Sequence, residues 1–312
     1  MLELLQELAM QGYRFTTVTP ATHERFLSRH HQAGTTLRDI FGWNLPFKMD
    51  ALSPLFRSLM IEADLVQASG DFLKSKIRIS SLDKDLFLHS PFPTTESNAV
   101  FFGPDTYRFA RFIRQTLQHI ISTRSSEFNA IAPLRVLDIG CGSGAGGVVA
   151  MRSFDGPVDL VLNDINPLAI AYARTNTAAA AINAGFLQGD VFTAIKGKFD
   201  LIISNPPYIK DNAGRTYRDG GARLGLDISI RIVQHAINHL APGGCLLLYT
   251  GVAMTCRSDP LMSELVPLLV EANCHWSYEE IDPDIFGEEL EQPAYAQASR
   301  IAAVGLVVTR PY

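Results

Sequence analysis

The stretch VLDIGCGSGAGG, residues 136–147, begins as an apolar run and then turns through Gly140, Gly142 and Gly144. Closely spaced glycines at the end of such a run read as a strand that folds back sharply. Glycine adopts positive φ at no steric cost and lets a bound molecule approach the backbone. A helix is expected to start near Gly146. Open α/β sheets bind ligands in the crevice beyond the carboxyl ends of their strands, so this turn marks a small-molecule pocket.

From about residue 96 onward, apolar strand-like runs alternate with helical segments, the pattern of a largely parallel sheet covered on both faces. Strands are predicted at 134–140, 159–164, 184–190, 199–205 and 243–251. Two later runs, 275–282 and 301–310, have almost no helix-length segment between them, which predicts an antiparallel pair at the end of the sheet. Asp138, Asp164 and Asp190 recur at strand ends around one crevice. An acid in the place of Asp164 commonly accepts hydrogen bonds from both ribose hydroxyls. Each of the three could equally cap the following helix, but together they favour a nucleoside site.

The 204–209 segment, SNPPYI, leaves the fourth strand through two prolines. Each removes a backbone donor and fixes φ, so the turn is rigid and suited to holding something in a set geometry. Composition excludes little beyond this. The 312 residues carry a formal charge of -5, with 47% hydrophobic and 19% charged residues, an ordinary globular balance that argues against a surface gripping phosphate backbone throughout. Cys141, Cys245, Cys256 and Cys274 form no metal-ligand spacing, and no metal is expected. The N-terminus lacks the pattern of a signal peptide, and no apolar run reaches membrane-helix length, so a cytoplasmic protein is expected.

The first sixty-odd residues read as a helical layer, with Leu27, Leu37, Ile40 and Phe41 on a buried stripe. Residues 65–90 read as a small antiparallel meander, in which Lys74, Lys76 and Arg78 form one solvent face. His30 and His31 have no ligand-like partner. A Pro/Ser/Thr-rich connection near residue 95 divides the chain into an accessory α+β domain, 1–95, and an α/β domain, 96–312.

In order and spacing, VLDIGCGSGAGG, NDINPLAIAYARTN, QGDVF and SNPPYI resemble the successive motifs of class I S-adenosylmethionine-dependent methyltransferases of the N-P-P-Y branch. The stretch from Asn205 to Gly251 is similar to that of protein glutamine-N5 methyltransferases acting on release factors. The resemblance implies a seven-stranded, Rossmann-like sheet with S-adenosylmethionine as cofactor. It implies cofactor contacts from Asp138, Gly140, Gly142, Gly144, Asp164, Ile165, Asp190, Val191 and Asn205. The segment before the first strand, where Phe102, Thr106 or Tyr107 are candidates, would close over the methionine end.

Asn205, Pro206 and Tyr208 are the catalytic candidates. A planar amide nitrogen is a poor nucleophile, so its lone pair must be aimed. The Asn205 and Pro206 carbonyls can accept its two N–H bonds while Tyr208 stacks on its plane. The expected acceptor is a protein glutamine amide. An exocyclic base amine of RNA or DNA, a small molecule, and a cofactor-binding protein without transferase activity remain open. Tyr217, Arg218, Asp219, the segment 286–289 and Tyr295 are candidate substrate contacts.

Overall fold

The computed structural model describes residues 1–30, 32–123, 133–193, 195–211, 215–256 and 258–312. His31 therefore lies outside the described residues, whereas His30 is exposed and stacks on Phe26. Helices α1 (Leu2–Met10), α2 (Pro20–Leu27) and α3 (Pro54–Glu62) open the chain. Thr19 and Ser53 cap α2 and α3, each followed by proline at the first helical position, where its missing N–H costs nothing. Of the expected buried stripe, Ile40 and Phe41 are fully buried, while Leu27 and Leu37 are only partly so.

Strands β1 (Val66–Ser69) and β2 (Phe72–Ser75) form one hairpin, and β3 (Arg78–Leu82) and β4 (Asp85–His89) another. The expected meander is thus two separate hairpins. The edge of β2 that would have received β3 is taken by Phe47, which exchanges both backbone hydrogen bonds with Leu73 at 2.8 Å. Nor do the three cations of this segment share a solvent face. Arg78 is 4% exposed and donates through Nε to the Gly42 carbonyl, Lys74 donates to the Phe92 carbonyl, and Lys76 pairs with Asp64.

Helix α4 (Pro104–Thr123) leads into β5 (Leu134–Ile139), α5 (Ala145–Met151), β6 (Val158–Asp164), α6 (Pro167–Ala179), β7 (Gly185–Gln188) and β8 (Phe199–Ser204). A short turn, α7 (Ala222–Gly225), precedes α8 (Asp227–His239), β9 (Leu240–Thr255), α9 (Pro260–Glu271), β10 (His275–Asp282) and β11 (Ala298–Thr309). Seven strands form one sheet in the order β10-β11-β9-β8-β5-β6-β7. Strand β11 runs antiparallel to both neighbours, and the other pairings are parallel. The expected sheet, with its antiparallel pair at the end, is the one observed.

Alternate strand residues enter different cores, as the two-residue period of a strand requires. Val136, Leu201 and Leu247 pack with Phe109, Phe112 and Ile113 of α4 and with α5. Leu137, Ile202 and Leu246 pack with α8 and α9 through Ile230, Val233, Leu261 and Leu265. A third core joins Leu4, Phe41, Phe56 and Leu88 of the first ninety residues to Val100, Ala169 and Tyr172, beyond the expected boundary at residue 95. Asn176 of α6 stitches this junction. Its side chain accepts from the Leu88 N–H at 2.8 Å and donates to the carbonyls of Leu88 and Ser143 at 3.1 and 2.9 Å.

Candidate active site

Strand β5 neighbours both β6 and β8, so the chain crosses to opposite sides of the sheet there, and a cleft of about 400 Å³ opens beyond the strand ends. Gly140 and Gly142 line it at φ +66 and +52, with open space where a Cβ would stand. This wall is bare backbone. The loop is braced by two carboxylates: Asp138 accepts from the Gly147 N–H at 2.8 Å, and Asp164 accepts from the Gly142 and Asn166 N–H groups at 2.9 Å each. Burial pushes Asp138 up to about 7, against the Gly147 bond and with help from the charge of Asp164. Burial also raises Asp164, against its backbone hydrogen bonds. Next to Asp164, Ile165 is 52% exposed on the cleft wall.

On the opposite wall stands the rigid turn. Asn205 is partly exposed there, and among the described residues its side chain has no hydrogen-bond partner. Tyr208 is 8% exposed, and its ring lies so close to Gly251 that a Cβ there would come within 2.3 Å of it. Its hydroxyl donates to Asp105 at 2.8 Å, and its ring meets that of Phe286 at a steep angle with centroids 6.0 Å apart. Burial holds this phenol well above its ordinary range, with the Asp105 charge adding to the effect, so it stays protonated near neutrality.

The outer end of the cleft is assembled from three distant segments. The backbone of Ile209 pairs with Arg218 and Gly220, and Asp211 takes Arg215 in a two-pronged ion pair of 2.6 and 2.9 Å. That pairing holds the Asp211 carboxyl at about 2. Arg218 reaches the segment between β10 and β11 by an ion pair with Glu289. Tyr295 of the same segment accepts from the Lys210 N–H at 2.9 Å. Residues 91–101 cross over the cleft as a strap, receiving the Tyr217 hydroxyl on Thr94 at 2.7 Å and the Thr216 hydroxyl on Ser97 at 2.6 Å.

Residues 125–267 match the family model described as methyltransferase small domain. This segment is similar to that family. The chain is 29% identical over 188 residues to the release factor glutamine methyltransferase of Deinococcus radiodurans, covering 56% of this chain and 63% of that protein. It is 34% identical over 110 residues to the ribosomal RNA small subunit methyltransferase C of Erwinia tasmaniensis, covering 35% of this chain and 29% of that protein. The chain thus spans less than two thirds of the length of either relative. A solved T. Thermophilus 16S rRNA N2 G1207 methyltransferase in complex with AdoMet and guanosine superposes with a TM-score of 0.46 at 18% identity, over 82% of this chain and 62% of that one.

One cleft is lined by Asp138, Gly140, Gly142, Asp164, Ile165, Asp190, Val191, Thr106, Asn205, Pro206 and Tyr208. Gly144 is not on that wall. It caps α5 at φ 78, where a Cβ would meet Ala173. Asp190 also pairs with Arg231 at 2.8 Å. Phe102 is buried in the core, and the Tyr107 hydroxyl faces Thr17 and Ser81, so Thr106 alone of those three reaches the cleft. Tyr217, Arg218 and Phe286 line it, whereas Asp219, Glu289 and Tyr295 support the walls from behind. Asp105 escaped the sequence reading of the site. Among the described residues, no helix is long and apolar enough to cross a membrane, and no group of three or more His, Cys, Asp or Glu is placed to hold a metal.

Proposed function

We propose that the chain is an S-adenosylmethionine-dependent N-methyltransferase acting on a planar nitrogen, and that its acceptor is the side-chain amide of a protein glutamine. The observation that carries this reading is the unpartnered Asn205 amide on a proline-fixed turn at the cleft wall. The cleft suits the cofactor: bare glycine backbone at Gly140 and Gly142, an acid at Asp164 for the ribose, and the exposed face of Ile165 beside it for the adenine. Asp190, Val191 and Thr106 complete the holding residues. Bound there, S-adenosylmethionine supplies an electrophilic methyl group.

The chain's own residues do the rest by orientation. The Asn205 side-chain carbonyl and the Pro206 main-chain carbonyl accept the two N–H bonds of the acceptor, so its lone pair points into the cleft. The same oxygens stabilise the positive charge that grows on nitrogen, and no strong base is needed, because the resulting cation loses its proton readily to water. Tyr208 forms the floor under the planar group.

A protein acceptor is favoured over nucleic acid because the cationic run 74–78 does not form one free basic face for a phosphate channel: Arg78 is buried, Lys74 is held on a carbonyl, and Lys76 is neutralised at the surface by Asp64. The longer of the two sequence matches agrees with it. The shorter but more identical match supports a second reading, an exocyclic amine of a ribosomal RNA base. Incubating the purified chain with labelled S-adenosylmethionine and cell extract tests both. Label recovered as N5-methylglutamine supports the first reading, and nuclease-sensitive label replaces it with the second.

A further inference from the structure

Asp105 sits in the first turn of α4, where a carboxylate ordinarily serves the helix's own unpaired amides. Here its oxygens are taken from elsewhere. Oδ2 accepts the Tyr208 hydroxyl at 2.8 Å, and Oδ1 accepts the Tyr249 hydroxyl at 2.7 Å and Arg108 at 3.1 Å. Arg108 also pairs with Asp282 at 2.8 Å, so two carboxylates face one guanidinium. Asp105 is 4% exposed and lines the cleft beside Tyr208. Tyr249, its other phenol, is fully buried and lies outside the lining.

We propose that Asp105 is the positioning residue of the acceptor turn: by holding the Tyr208 hydroxyl from α4, it fixes the plane of the ring on which the acceptor nitrogen rests. Three contacts then hold that ring, namely Asp105 at the hydroxyl, Gly251 against its carbons and the Phe286 ring 6.0 Å away. Small misplacements of a reacting group cost rates on the order of 10²-fold, so a hydroxyl anchored on a buried charge is a sensitive control point. The inference rests on the proposed transfer to a planar nitrogen.

The two phenols make the test. Each donates one hydrogen bond to the same carboxylate, so Tyr208→Phe and Tyr249→Phe remove equivalent bonds, and both should lower thermal stability to a similar degree. Only Tyr208→Phe should lower kcat, by on the order of 10-fold or more, with the Kd for S-adenosylmethionine unchanged by calorimetry. Asp105→Asn should lower kcat similarly, and adding it to Tyr208→Phe should bring little further loss, because the two act through one bond. A crystal structure of Asp105→Asn should show the Tyr208 ring rotated from its place on Gly251. Equal kcat losses in the two phenylalanine variants, or an unmoved ring in Asp105→Asn, would overturn the proposal. If Asp105→Asn does not fold, the phenylalanine pair still decides it. A wild-type chain that methylates no amide or base amine defeats the functional reading instead, while the ring position still answers for Asp105.

Discussion

With its amide unpaired on the cleft wall, Asn205 should matter to turnover and not to cofactor affinity. Asn205→Ala is expected to lower kcat by on the order of 10²-fold, since a contact that strengthens as charge develops is lost, while calorimetry shows an unchanged Kd for S-adenosylmethionine. Matched losses of both would make Asn205 a brace of the pocket. Asp138 should impose a pH dependence on stability. Its folded pKa, about 7, lies above the unfolded value of 3.8, so the folded state holds the extra proton. That contribution is fully present below pH 3.8 and is lost as pH rises through 7, by at most about 1.4 kcal/mol per pH unit. Urea unfolding of the wild type and Asp138→Asn should therefore diverge across this window, with only the wild type carrying that decline. The places of Asp138, Asp164 and Asn205 at the cleft followed from the apolar runs they belong to or follow and from the glycine and proline turns beside them. The place of Asp105 did not, because an acid in a first helical turn reads as a cap, and its phenol partners are 103 and 144 positions away.

Strand β9 shows how closely an element is fitted to the turn it supports. Gly251→Ala would put a methyl within 2.3 Å of the Tyr208 ring. Overpacking of this kind costs about 1–3 kcal/mol, and chemical denaturation should register it together with reduced turnover. The loop after the turn depends on Asp211. Its carboxyl is held at about 2, so its stabilising contribution is present above the unfolded 3.8 and is lost as pH falls through 2. In Asp211→Asn at neutral pH, the amides of Arg218 and Gly220 should exchange hydrogen faster than in the wild type. Strand positions and the antiparallel pair followed from apolar runs and their spacing. The separation of β2 from β3 did not, because the competitor for that edge, Phe47, lies outside the local sequence window.

Across the molecule, Asn176 ties the first ninety residues to the glycine loop. Asn176→Leu leaves the Leu88 N–H and C=O and the Ser143 C=O without their partner. Stranded buried groups cost about 1–3 kcal/mol each, so a large drop in the urea midpoint is expected. Cofactor affinity should weaken with it, because Ser143 belongs to the cleft wall. Activity on a protein acceptor should also tolerate salt. An acceptor held by six or more phosphate contacts would lose about 10³-fold or more in affinity between 50 and 200 mM salt, and finding that slope would transfer the reading to RNA. The position of β11, between β9 and β10 and antiparallel to both, bears on how the chain is born. On the ribosome, β9 and β10 emerge first, and neither the free edge of β9 nor β10 has a partner until Ala298–Thr309 has been made. A nascent chain therefore exposes unpaired strand edges until β11 follows, the condition under which strands recruit wrong partners. Chaperone demand should peak in that interval.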